Sequence, residues 1–234
     1  MAKSQEKKIF LAGGGNAKDS FLIDQEFVSA LIRKKVIYIP VASSTDDLGI
    51  ENYYDWIIKA LSAHSSEFIE IVVLTNLENI QLKYLLDFDA IYIGGGNTYR
   101  LLNALRKSNF DKLIVDFYKK GGILYGGSAG AIILGKDIST VSNENFEKIN
   151  YSEGLNLVGD FSIICHYQEN IEEKIITYIK DKKNAVIALP ERSGLMINNN
   201  MAKVSGPEPA TVFLKDLQKR QLLPGEEFSV ENFT

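Results

Sequence analysis

The sequence predicts an α/β protein with a mostly parallel central sheet and helices on both of its faces. Three observations carry this expectation. Short β-branched runs alternate with longer amphipathic stretches, the βαβα pattern of a parallel sheet covered on both sides. Several of the runs end in glycine-rich or polar turns, "GGGN" at 13–16, "ASS" at 42–44, "GGGNT" at 94–98 and "GGSAG" at 126–130. The turns follow strands, and in an open parallel sheet ligands bind beyond the carboxyl ends of the strands.

The elements follow in order. "KIFLAGG" (8–14) reads as the first strand, and 20–35 as a helix with Phe21, Leu22, Phe27, Leu31 and Ile32 at helical spacing. "VIYIPVASS" (36–44) is the second strand. Residues 50–64 form a helix with Tyr53, Trp56, Ile57 and Leu61 on one face. "FIEIVVL" (68–74) and "DAIYIGGG" (89–96) are the next strands. A helical pattern runs from Thr98 to Lys120 with a break near Ser108, and "GILYGGS" (122–128) is a strand ending on a serine.

The style changes after about residue 135. Residues 136–160 are polar and loop-rich. A strand at 161–167, a helix around 170–181 and a strand at 185–191 follow. Residues 194–206 read as a hairpin turning at Asn198–Asn200, and "ATVFL" (210–214) as an added edge strand. No linker, low-complexity tract or fixed-period repeat divides the chain, so 1–234 is expected to be a single domain.

Composition narrows the classes of function. The chain is 234 residues long, 45% apolar and 24% charged, enough to bury a sizeable core. A net charge of −4 with mixed signs and no basic block argues against nucleic-acid binding. The one cysteine, Cys165, excludes an internal disulfide and a multi-cysteine metal site. The charged start is too short of apolar residues for a signal peptide, and no apolar run is long enough for a membrane span. A cytoplasmic protein without membrane attachment, metal or cofactor is expected.

The chemistry centres on "ILYGGSAGAIIL" (123–134), which fits the G-x-S-x-G nucleophile elbow at the end of a predicted strand. Such a turn needs small neighbours, exposes the Ser128 hydroxyl and points the next N–H into the same space. The plain alternative is a glycine-rich turn with an incidental serine. A serine needs a base, and the chain holds two histidines. His64 reads as an exposed helix end favoured by the helix dipole. His166 ends an apolar strand and is the better base. Glu191, at the end of "AVIALPE", is favoured as the orienting acid over Glu144, Glu147 and Glu153, because a strand end places a side chain more rigidly than a loop. The second "GGGN" turn is read as an oxyanion donor, the first as packing or pocket wall. Neither has the spacing of a dinucleotide site, and no P-loop follows.

"AIYIGGGNTYRLLNAL", "GILYGGSAGAIIL", the His166 strand and "IALPE" together resemble the aspartyl dipeptidase (peptidase E) family of serine peptidases, to which cyanophycinase is related. The resemblance runs from about residue 8 to 214. It implies a three-layer sandwich like class I glutamine amidotransferases (flavodoxin-like). It implies Ser128 as nucleophile, His166 as base, Glu191 as orienting acid, and Gly96 and Ala129 as oxyanion N–H donors.

Two departures stand out. The family's acid about 15 residues after the serine is here Asn143, with Glu144 beside it as a reserve. The family's substrate-binding arginine after the histidine is missing from "YQENIEEKIITYIK", whose glutamates would repel an acidic side chain; Arg192 and Arg100 are the candidate substitutes. The resulting expectation is a serine peptidase acting on short peptides. A non-catalytic module binding a carboxylate or phosphate on the same frame is the alternative. A Cys165 hydrolase is disfavoured, because adjacent strand residues face opposite ways. The oligomeric state is not indicated.

Overall fold

The buried runs pair much as their apolar patterning demands. The structure, a computed structural model, describes residues 7–43 and 50–231. The larger sheet has eight strands. Its parallel part joins β1 (Lys8–Ala12), β2 (Lys35–Ile39), β3 (Glu70–Val73), β4 (Ala90–Ile93) and β5 (Ile123–Gly127) in the order β1-β5-β4-β2-β3. Ser44, expected at the end of the second strand, lies outside the described residues.

Alternate residues of these strands serve two different cores. Ile9, Leu11, Ile37, Ile39, Ile91 and Ile93 face one side. Phe10, Val36, Tyr38, Tyr92 and Tyr125 face the other. Because both faces are covered, neither can be polar, which is why the strands read as unbroken apolar runs.

Helices α1 (Phe21–Ala30) and α2 (Ile50–Ser62) cover the aromatic face through Phe27, Val28, Tyr53, Ile57 and Leu61. The short α3 (Leu82–Leu85), α4 (Thr98–Lys107), α5 (Phe110–Lys119) and α6 (Ala129–Leu134) contribute to the opposite core. The break expected near Ser108 is real: α4 ends there, and Asn109 adopts a left-handed φ of 56° before α5. No helix among the described residues is long and apolar enough to cross a membrane.

Two expectations need correction. The chain does not build one sheet. β6 (Ser162–Cys165), β7 (Val186–Leu189), β10 (Ala210–Phe213) and β11 (Lys219–Leu222) form a separate four-stranded sheet in the order β11-β10-β7-β6. Its inner face, with Ile163, Ile187 and Val212, joins the core beneath α4–α6. Its outer face, with Ile164, Val186 and Phe213, is covered by α7 (Glu172–Lys182), which follows a 3₁₀ turn at Glu169–Ile171. The helix α6 is buried throughout and touches both β5 and β6, so it is clamped between the two sheets.

The second correction concerns the C-terminal strands. The predicted hairpin forms as β8 (Gly194–Asn198) and β9 (Met201–Ser205), antiparallel to each other, with β8 also antiparallel to β1. β12 (Glu227–Ser229) closes that edge. The "ATVFL" run is not an edge strand: β10 lies between β7 and β11.

Candidate active site

The site forms where the ends of β1, β4, β5, β6 and β7 meet, and backbone bonds lace it together. The Ser128 N–H donates to the Ala12 carbonyl at 3.1 Å, and the Gly94 N–H to Ile39 at 2.9 Å. The His166 N–H donates to Gly13 at 2.9 Å, and the Gly13 N–H to Ser193 at 2.9 Å. The turn after β1 therefore ties the two sheets to each other at the site itself.

Each motif glycine can be checked by the space a Cβ would need. At Gly126 it would lie 2.5 Å from Gly130, and at Gly130 it would lie 2.1 Å from the Ile93 carbonyl oxygen. Both contacts are with backbone, which cannot yield cheaply. Gly127, the variable position of the motif, would meet nothing nearer than the Tyr92 hydroxyl at 3.6 Å. The turn forces Ser128 to φ 49°, ψ −110°, a conformation costing about 1–3 kcal/mol for a non-glycine residue.

His166 follows β6, also with positive φ, at 54°. Its Nε2 lies 2.9 Å from Ser128 Oγ, and its Nδ1 lies 2.8 Å from Glu191 Oε1. The imidazole rests on Gly14, where φ is +120° and a Cβ would fall 2.2 Å from Cε1. The first "GGGN" turn is thus a wall for the histidine. Both side chains are half exposed, His166 at 49% and Glu191 at 53%.

The remaining candidates lie as follows. Gly96, at φ +136°, lines the cavity beside Ser128, while the neighbouring Gly95 faces the serine, its Cβ position being 3.4 Å from Ser128 Cβ. Ala129 begins α6, so its N–H has no intrahelical acceptor. The Glu144 carbonyl accepts from Asn97 Nδ2 at 3.0 Å, whereas the histidine's carboxylate contact is with Glu191. Asn143 Oδ1 accepts from the Thr98 hydroxyl at 3.2 Å and the Thr98 N–H at 3.4 Å, at the first residue of α4. Burial pushes the Cys165 thiol pKa up, and its Sγ lies 3.5 Å from the Ser128 carbonyl oxygen.

Three expectations fail here. His64 is not an exposed, dipole-held cation: its ring packs edge-on against Phe21 at 4.5 Å, and partial burial lowers its pKa. Neither arginine offered as a substitute lines the cavity; Arg192 pairs with Glu208 at 3.8 Å and Arg100 with Glu147 at 3.9 Å. The glutamates after His166 also stay out of it. Glu172 instead turns to Lys219 at 2.6 Å and Tyr167 at 2.7 Å; the Lys219 hydrogen bond leads in holding its carboxyl below the usual range.

A cavity of about 490 Å³ opens beside Ser128. Its walls are α7, the β6–β7 surface and the segment 139–143. The helix and its N-cap residue present Ile171, Lys174, Ile175 and Tyr178, an i, i+3, i+4, i+7 set that its spacing could have disclosed. A second unforeseen feature holds the polar segment after α6. Asn97, Arg100, Asn103 and Arg106, three residues apart along α4, bind the Glu144 carbonyl, Glu147, Glu147 again and the Glu153 carbonyl.

A serine on a tight strand-to-helix turn at the end of a parallel strand is the arrangement of α/β serine hydrolases. Comparison with known proteins narrows this class. The chain belongs to peptidase family S51, whose family model matches residues 9–205. It is a serine peptidase, and so a hydrolase. An uncharacterized peptidase of Listeria monocytogenes is 35% identical over 181 residues, covering 73% of this chain and 85% of the relative. Peptidase E of Haemophilus influenzae is 26% identical over 207 residues, covering 83% and 84%. Among solved structures, a Listeria monocytogenes peptidase E candidate superposes with a TM-score of 0.66 at 26% identity, over 86% of this chain and 98% of that one. A peptidase from an acI-B1 Actinobacterium shares the fold with a TM-score of 0.73 at 20% identity, over 97% and 98%.

Proposed function

We propose that this peptidase hydrolyses short peptides through an acyl-enzyme on Ser128, with His166 as base and Glu191 as orienting acid. The hydrogen-bonded chain Ser128 Oγ–His166 Nε2–Glu191 Oε1 supports this reading best. With Glu191 ionised, the imidazole proton sits on Nδ1 and Nε2 is left to accept the serine proton. Attack by Oγ on the scissile carbonyl forms the C–O bond. The imidazolium then gives its proton to the departing amine, and the C–N bond breaks. Water, activated by the same imidazole, releases the acid and restores the serine.

The developing oxyanion would be held by the N–H groups of Ala129 and Gly96, each contributing on the order of 3 kcal/mol to the transition state. Gly95 shares the turn that would deliver the second donor. We read the frame as class I glutamine amidotransferase-like, with residues 1–234 acting as one unit in the cytoplasm, on peptide and not on nucleic acid or membrane.

The test is peptide hydrolysis by Ser128→Ala and His166→Ala variants with unchanged circular dichroism. Each should lose at least about 10³-fold in kcat. Full turnover by the folded alanine variant at 128 would remove the serine from the mechanism and favour a binding role for the site.

A further inference from the structure

Resting on the proposed function, we infer that the cavity beside Ser128 selects peptides carrying a branched or aromatic apolar side chain. Its walls carry apolar side chains from four parts of the fold: Ile132 from α6, Val141 from the following segment, Ile164 and Val186 from the second sheet, and Ile171 and Ile175 from around α7. At about 490 Å³ the cavity is of the size that encloses small ligands.

Most hydroxyls in the same walls strengthen the inference, because their protons are already committed. Thr140 donates its hydroxyl to the Ile163 carbonyl at 2.7 Å. Ser139 donates to the Asp137 carboxylate, which also accepts from Ser152. Burial works against the Asp137 charge, but the bonds from Ser139 and Ser152 and the nearby Lys182 hold its carboxyl below the usual range, so it stays an acceptor at neutral pH. The Tyr178 hydroxyl is engaged with Ser162 at 2.6 Å and the Thr98 hydroxyl donates to Asn143 Oδ1 at 3.2 Å, which leaves the Ser142 hydroxyl and the Asn143 amide as neutral donors in the wall. A carboxylate entering this space must shed water and needs several donors in return. Lys174, exposed and without an ion-pair partner among the described residues, is the one lysine or arginine in the wall. An ammonium in contact with water gives a carboxylate little net gain. An apolar side chain has no such requirement: it displaces water from surfaces that cannot bind it well.

The proposal is tested with a set of short peptides differing only at the residue on the acyl side of the cleaved bond: Ala, Leu, Phe, Asp and Arg. The Leu and Phe peptides should exceed the Asp and Arg peptides by at least tenfold in kcat/KM, and the Ala peptide by a similar factor. The half-buried Ile171 and Val141 can be changed with little risk to the fold, so Ile171→Asn and Val141→Asn are the variants of choice. Each should reduce the Leu:Ala ratio of kcat/KM severalfold, a ratio in which any general loss of activity cancels. A preference for Asp, or ratios unmoved in both variants, overturns the proposal.

Calorimetric binding of the same peptides to Ser128→Ala gives a readout independent of turnover. Tighter binding of Leu and Phe peptides supports the inference, and equal or tighter binding of the Asp peptide contradicts it. Failure of the catalytic reading would show differently, as wild-type protein that cleaves none of the peptides and takes up no fluorophosphonate at Ser128.

Discussion

His166 and Glu191 stand 25 residues apart in sequence, yet Nδ1 and Oε1 meet at 2.8 Å because they follow neighbouring parallel strands. Cys165 of β6 registers with Leu189 of β7, so each strand overshoots its last pair by one and two residues to deliver the imidazole and the carboxylate to the same place. The pair belongs to the second sheet and the serine to the first. The Gly13 backbone, bonded to both His166 and Ser193, holds these parts together.

That pairing makes Glu191 the acid whose loss should matter. Glu191→Gln should lower kcat by about 10²–10⁴-fold while leaving KM nearly unchanged, since the imidazole loses its orientation and its counter-charge. Glu144→Gln should change kcat less than about threefold. Steady-state kinetics on both variants decides between them; the opposite order would move the acid to the 139–153 segment.

The glycines of the elbow should not be equivalent. Gly126→Ala and Gly130→Ala force a Cβ against backbone at 2.5 Å and 2.1 Å, and each should destabilise the fold by about 2 kcal/mol or more. Gly127→Ala, with its nearest neighbour at 3.6 Å, should cost less than about 1 kcal/mol. Urea denaturation of the three variants checks the contrast, and a uniform loss would contradict it.

Gly14→Ala addresses the wall beneath the histidine. Its Cβ would intrude on Cε1 at 2.2 Å in a backbone conformation that only glycine adopts readily. The imidazole must move, so kcat should fall at least about tenfold, a misplacement effect. Alkylation of His166 should change in rate along with it. Wild-type turnover in this variant would show that the wall is dispensable.

Much of this arrangement was readable from the chain, and the rest was hidden for physical reasons. Strands β1, β2, β4 and β5 are buried on both faces and declare themselves as continuous apolar runs. Ser128, His166 and Glu191 each end such a run. The division into two sheets was not visible, because β6 and β7 have the same composition as strands of the first sheet and nothing local records their partners. β11 has no apolar signature because Lys219, Arg220 and Gln221 are exposed, and its pairing with β10 leaves no mark in the local sequence. The acidity of the segment after His166 misled for a related reason. Charge can be counted in sequence, but which side of α7 faces the cavity depends on packing against Phe213 and Ile164.

A buried carboxylate gives a stability signature away from the site. Asp24 is fully buried, accepts from Tyr125 Oη at 2.5 Å and Ser20 Oγ at 2.7 Å, and burial raises its pKa to about 6 despite those bonds. A folded-state pKa above the unfolded one contributes stability that is full below about pH 4 and is lost as pH rises through about 6, some 3 kcal/mol in total. Asp24→Asn should remove this component, so that the difference in unfolding free energy between variant and wild type shifts in the variant's favour from pH 4 to pH 7. A pH-independent difference in urea titrations would contradict the assignment.

The most direct measurement is peptide mapping after exposure of the native protein to a fluorophosphonate. A reactive Ser128 requires the 2.9 Å contact with His166 to act as a proton path. The adduct should therefore appear on Ser128, be lost in Ser128→Ala, and form at least about 100-fold more slowly in His166→Ala. A native protein that remains unlabelled at 128 while still cleaving peptides, or that labels equally fast without the histidine, would contradict the account.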